Sequence, residues 1–91
     1  MAVQDASERI DLLQYSTSNK YVAPEEGYVF LRVSQSGEGG SVNIDNYTML
    51  QVSNGGTAST AVFKGAELFA TKTPDSASHV TATFVRARKK E

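Results

Sequence analysis

Catalysis by a serine relay needs a hydroxyl, a base and an orienting acid brought together. This chain has a single histidine, His79, and no cysteine. Serines are abundant, but none sits in a GxSxG elbow that would present a nucleophile. His79 opens an alternating run just past Pro74-Asp75, the place of an exposed strand-end residue. The acids Glu25, Glu26, Asp45, Glu67 and Asp75 fall on turns, and the pair Glu25-Glu26 occupies the solvated tip of a Pro-x-x-Gly turn. A zinc centre asks for several Cys or His ligands, and a calcium loop for acids at alternate positions. Neither pattern is present. The glycine-rich stretch Gln35–Ser41 lacks both GxGxxG order and a following GK[ST], so it is no phosphate cradle. The sequence predicts no enzyme, no metal and no cofactor.

Binding chemistry is better represented. Net charge is -1 but uneven: residues 1–30 carry net -3, residues 31–60 net -1, and residues 61–91 net +3. Four of the last six bases lie in Arg86-Ala87-Arg88-Lys89-Lys90, a short basic end that reads as a solvated terminus or as a tether to an acidic protein surface. No helix or ribbon suited to a groove is evident, which argues against nucleic acid as partner. Tyr15, Tyr21, Tyr28 and Tyr47 could stack on sugars, yet without tryptophan they read as packed or interfacial rings.

These residues are positioned by a run of short strands. In Tyr21-Val22-Ala23-Pro24-Glu25-Glu26-Gly27, Pro24 excludes a helix and holds Ala23 extended, and Gly27 suits the end of a turn. Tyr28–Ser34 then alternates, with Val29, Leu31 and Val33 on one face and Tyr28, Phe30 and Arg32 on the other. Further strands are predicted at Ile10–Tyr15, Ser41–Asp45, Tyr47–Ser53, Thr60–Phe63, Glu67–Lys72 and His79–Ala87, with turns at Ser16–Asn19, Asp45-Asn46, Asn54–Gly56, Lys64–Ala66 and Thr73–Ser76. Gln35–Ser41 is expected to be a hairpin connection. About eight short antiparallel strands with a turn roughly every ten residues describe an all-β sandwich or jelly roll. For residues 2–9 two readings stand. One is a short helix, on the capping-box spacing of Asp5 and Glu8; the other is an arm that orders only against a neighbour.

Ninety-one residues suffice for one domain. Its parts are expected to be residues 1–19, an N-terminal arm and possible first strand, and residues 20–91, the sandwich with its basic end. Without cysteine there is no disulfide. No apolar run approaches the ~18 residues of a membrane helix, and the N-terminus lacks the regions of a signal peptide. A soluble protein outside the ordinary secretory route, with no membrane partner, is the expectation.

Tyr21-Val22-Ala23-Pro24-x-x-Gly27-Tyr28-Val29, then Val42-Asn43-Ile44, Val62-Phe63-Lys64-Gly65-Ala66-Glu67-Leu68 and Ala82-Thr83-Phe84-Val85 come in a telling order. Together they resemble the small β-sandwich, TNF-like or jelly-roll domains of bacteriophage head-fibre, tail-fibre and decoration proteins. The resemblance covers residues 20–86. It departs at Ala66-Glu67, where such domains carry an acid directly after the glycine, and in the basic end. It implies a trimeric virion component made in the host cytoplasm and carried on the particle surface. The function expected is a capsid decoration or head-fibre protein whose partners are itself and phage capsid or tail proteins. The alternative is a tail-fibre tip that recognises a host-surface glycan or protein through its loops. Exposed apolar stripes are an aggregation liability that assembly removes, so Tyr28, Phe30, Met49 and Phe69 are the expected oligomer interface. Ile10 and Leu13, with Arg86, Arg88, Lys89 and Lys90, are the expected virion attachment residues.

Overall fold

The structure, a computed structural model, describes residues 2–4 and 9–89. The described residues form nine strand segments: β1 (Ala2–Gln4), β2 (Ile10–Asp11), β3 (Tyr21–Val22), β4 (Gly27–Val33), β5 (Gly39–Ile44), β6 (Tyr47–Ser53), β7 (Gly56–Val62), β8 (Glu67–Thr73) and β9 (Val80–Lys89). One turn of 3-10 helix spans Leu12–Gln14. Every strand pair is antiparallel. In one sheet β9 and β4 are central, β7 flanks β4, and β1 and β2 follow one another along the other side of β9. In the second sheet the order is β3-β8-β5-β6. With β1 and β2 sharing one position, each sheet has four positions, and the chain is the two-sheet all-β sandwich that its alternation predicts. Of the expected readings for residues 2–9, Ala2–Gln4 is strand, and Asp5 to Glu8 lie outside the described residues.

The pairing is nested. β1 and β2 pair with β9, β3 with β8, β4 with β7, and β5 with β6. Among the described strands, only β5–β6 is a hairpin. Its turn residues Asp45 and Asn46 both have positive φ, 53° and 72°, the two-residue geometry that matches strand twist. Every other connection from β2 onward passes from one sheet to the other. The stretch after β4 is therefore not the expected hairpin. β4 and β5 each bury one face toward the other across the core, so the loop between them must turn over its edge.

Alternation on β4 puts Val29, Leu31 and Val33 inside, each at most 1% exposed. They meet Val42, Leu68, Val80, Ala82 and Phe84 from the facing and neighbouring strands. Burial of one such aliphatic side chain contributes about 1.5–3 kcal/mol. Leu12 is fully buried in this cluster, with Ile10 and Leu13 packed against it. Ile10, Leu12 and Leu13 thus pack with the sandwich core. β7 starts at Gly56, earlier than the expected Thr60, because all of Gly56–Val62 is paired residue by residue with β4. Between Val42 and Asn43 the β5–β6 register slips, leaving Met49 without an opposed residue.

Backbone ties fix both ends. At one, Ala23 and the Gly65-Ala66 turn exchange hydrogen bonds of 2.9 and 2.8 Å, and Asp45 N–H donates to Glu67 O at 2.9 Å. At the other, Ser34 N–H donates to His79 O at 2.9 Å and Asn54 N–H to Glu38 O at 2.8 Å. No helix among the described residues is long and apolar enough to cross a membrane.

Candidate functional site

The outward residues of β4 stand between small partners. Tyr28 lies between Ala61 and Val85, Phe30 between Ser59 and Thr83, and Arg32 between Thr57 and Thr81. The two rings, 6.5 Å apart between centroids, rise above these neighbours and are each 38% exposed. Phe63, just past β7, continues the outward phase of Ser59 and Ala61 and is 83% exposed. The face therefore divides along β4. Tyr28, Ala61, Val85 and Phe63 make an apolar half near the Pro24–Glu26 turn. Arg32, Thr57 and Thr81 make a polar, cationic half at the other end, and Phe30 lies between. A groove of about 560 Å³ runs along the cationic half as far as Val85, with Arg9 and Arg32 both in its lining.

Of the expected interface residues, Tyr28 and Phe30 come together on this face. Met49 and Phe69 do not join them: they lie in the other sheet, on β6 and β8 with β5 between. Met49 is 56% exposed at the bulge. Phe69 is 3% exposed within the single chain, beside Leu13, Tyr15 and Thr17. Phe63, Arg9 and Arg32 were not singled out from the sequence. Phe63 carried a signal, since it follows the inward Val62 in the opposite phase; the arginines are brought to one groove only by the β2–β9–β4 pairing.

The expected attachment residues are placed differently from a free arm and tail. Ile10 lies in β2 opposite Phe84, and Leu13 in the 3-10 turn, where its N–H donates to Asp11 Oδ1 at 3.0 Å. Both are half-buried against the core, because the chain needs them to close the edge beside β9. Arg86 pairs with Gly27, and its guanidinium is 3.4 Å from Glu25. Arg88 and Lys89 continue β9 opposite Val3 and Ala2, and Lys90 lies outside the described residues.

His79, exposed and just ahead of β9, meets Glu38. Glu38 Oε1 accepts the His79 backbone N–H at 2.9 Å, and Oε2 lies 3.2 Å from Nδ1. Ser78 Oγ is also on Nδ1, at 3.3 Å. A serine relay uses the two imidazole nitrogens separately, one for the acid and one for the hydroxyl. Here both partners share Nδ1, so the cluster ties loops and does not relay a proton. Partial desolvation raises the Glu38 carboxyl pKa, but the hydrogen bonds and charge of His79 outweigh it and hold the net value below the ordinary 4.5. Among the described residues, no three His, Cys, Asp or Glu side chains converge on a point a metal could occupy. No protein-family model, curated protein or solved structure matches the chain.

Proposed function

We propose that this protein is a structural component of a bacteriophage virion surface, a homotrimeric capsid decoration or head-fibre protein with a jelly-roll fold. The observation that carries the reading is the apolar half-face: Tyr28, Phe30 and Phe63 stand exposed together on the rigid centre and edge of one sheet. Apolar residues gathered this way on a small chain mark a contact surface. The nested strand pairing supports the jelly roll, a wiring that viral capsid domains share with lectins and cupins. It agrees with the resemblance carried by Tyr21–Val29 and Val62–Leu68, whose two turns are hydrogen-bonded to each other through Ala23 and Gly65-Ala66. Association through this half-face leaves the opposite sheet outward. Attachment to the shell then falls to the basic residues Arg88, Lys89 and Lys90, since Ile10 and Leu13 are engaged in the core. Two measurements test the reading. Light scattering at micromolar concentration should give three times the chain mass, and gold-labelled antibody should decorate purified particles. A monomer, or particles without label, overturns it.

A further inference from the structure

We propose that the groove on the cationic half of the outer face binds an acidic saccharide, a sugar bearing a carboxylate. Its walls carry two guanidinium groups, Arg9 and Arg32, and neither has a hydrogen-bond or ion-pair partner among the described residues. Among the described residues, no acid lines the groove. Asp11, two positions from Arg9, turns its Oδ1 to the Leu13 N–H instead. An unpaired guanidinium presents a planar fork of donors that matches a carboxylate two bonds at a time. Four hydroxyls flank Arg32 and Phe30 in the groove, from Thr57 and Ser59 on β7 and from Thr81 and Thr83 on β9. Each both donates and accepts, as sugar hydroxyls require. Phe30, 38% exposed, supplies an apolar surface on which the C–H face of a pyranose can lie. Charge, two-way hydrogen bonding and a flat apolar surface together fit an acidic sugar better than a bare anion, which needs no ring surface, or an acidic peptide, which needs no row of hydroxyls. The sheet holds all of these groups in register, so little ordering is needed on binding.

The site is offset from the apolar half-face used by the proposed trimer and does not rest on it; only Phe30 and Val85 are common to both. Calorimetric titration of the full chain with oligogalacturonate and with sialyllactose should show saturable binding by at least one, weakened by added salt. Maltooligosaccharide should not bind, and polyglutamate should bind at least about tenfold more weakly than the acidic sugar. R32Q should lose about tenfold in affinity or more with its β-type spectrum and scattered mass unchanged, and R32K should fall between. Phe63→Ser should keep saccharide binding even where it lowers the mass, which separates the two surfaces. Absence of binding by both acidic sugars, equal binding of polyglutamate, or an R32Q affinity equal to wild type overturns the proposal.

Discussion

A side chain at Gly27 has nowhere to go. Its Cβ would stand 2.3 Å from the Val85 carbonyl oxygen and 2.8 Å from the Phe84 ring. Gly27→Ala should therefore abolish the β-type far-UV spectrum and leave the chain insoluble. Gly37→Ala, at φ 87° but with open space around it, should fold and cost only about 1 kcal/mol. Gly27 is readable in the sequence as a turn residue, but the close approach of β9 is not, because it depends on which strand lies beside it. Glu38 carries a second prediction at this scale. Its carboxyl pKa is lowered in the folded chain, chiefly by the bonds from His79 against an opposing desolvation. The unfolded chain then binds the proton more readily as acid is added. The stability Glu38 contributes is present above the ordinary value of 4.5 and is lost as pH falls through the lowered one. Urea midpoints measured across that window should drop for wild type and change less for Glu38→Gln, which should also be the less stable chain at neutral pH. His79 is legible as an exposed residue at a strand start; its partner, from a distant loop, is not.

Among the elements, the β5–β6 hairpin shows how a local signal and a long-range contact reinforce each other. Asp45-Asn46 is recognisable as a tight turn, and both residues take the positive φ that this turn demands. The turn is also docked on β8: Asp45 Oδ1 accepts the Glu67 N–H at 3.0 Å, and Lys20 reaches both Asn46 Oδ1 and, at 3.9 Å, Glu67. Asp45→Ala removes that acceptor and puts an unsuited residue at φ 53°, so thermal or urea unfolding should show a loss of about 1–3 kcal/mol. The other turns were as legible as positions but not as connections. Asn54-Gly55 and the loop after Val33 look like hairpin turns and instead carry the chain between sheets. Turn residues report a change of direction, and sheet membership is decided by which apolar faces must meet. β7 was half hidden for a related reason. Gly56-Thr57-Ala58-Ser59 has no apolar alternation, and only its pairing with Arg32 and Val33 through to Phe30 makes it strand.

For the molecule as a whole, the inner and outer residues of β4 should behave oppositely. Val29 is fully buried, and Val29→Ser removes core area and buries a hydroxyl, a loss of about 3 kcal/mol that should unfold much of the population. Phe30→Ser combined with Phe63→Ser should instead keep the β-type spectrum while light scattering records a smaller particle. The two-sheet architecture was legible because period-two patterning is strong in Gly27–Val33 and Val80–Val85. The placement of the expected interface residues was legible only in part. Tyr28 and Phe30 follow from phase, whereas Phe69 is covered by the Leu12–Thr17 segment that runs beside it, a contact no spacing in the sequence announces. The nested pairing also has a temporal consequence. β9 is the last of the nine strands to leave the ribosome, yet it sits in the middle of its sheet, between β4 and the β1–β2 edge. Until it arrives, β1 and β2 have no partner and β4 keeps one open edge, so a nascent chain halted before Val80 should remain protease-sensitive along its whole length. Refolding of the finished chain should be slow, in the millisecond-to-second range of sandwiches closed by contacts between distant parts of the sequence.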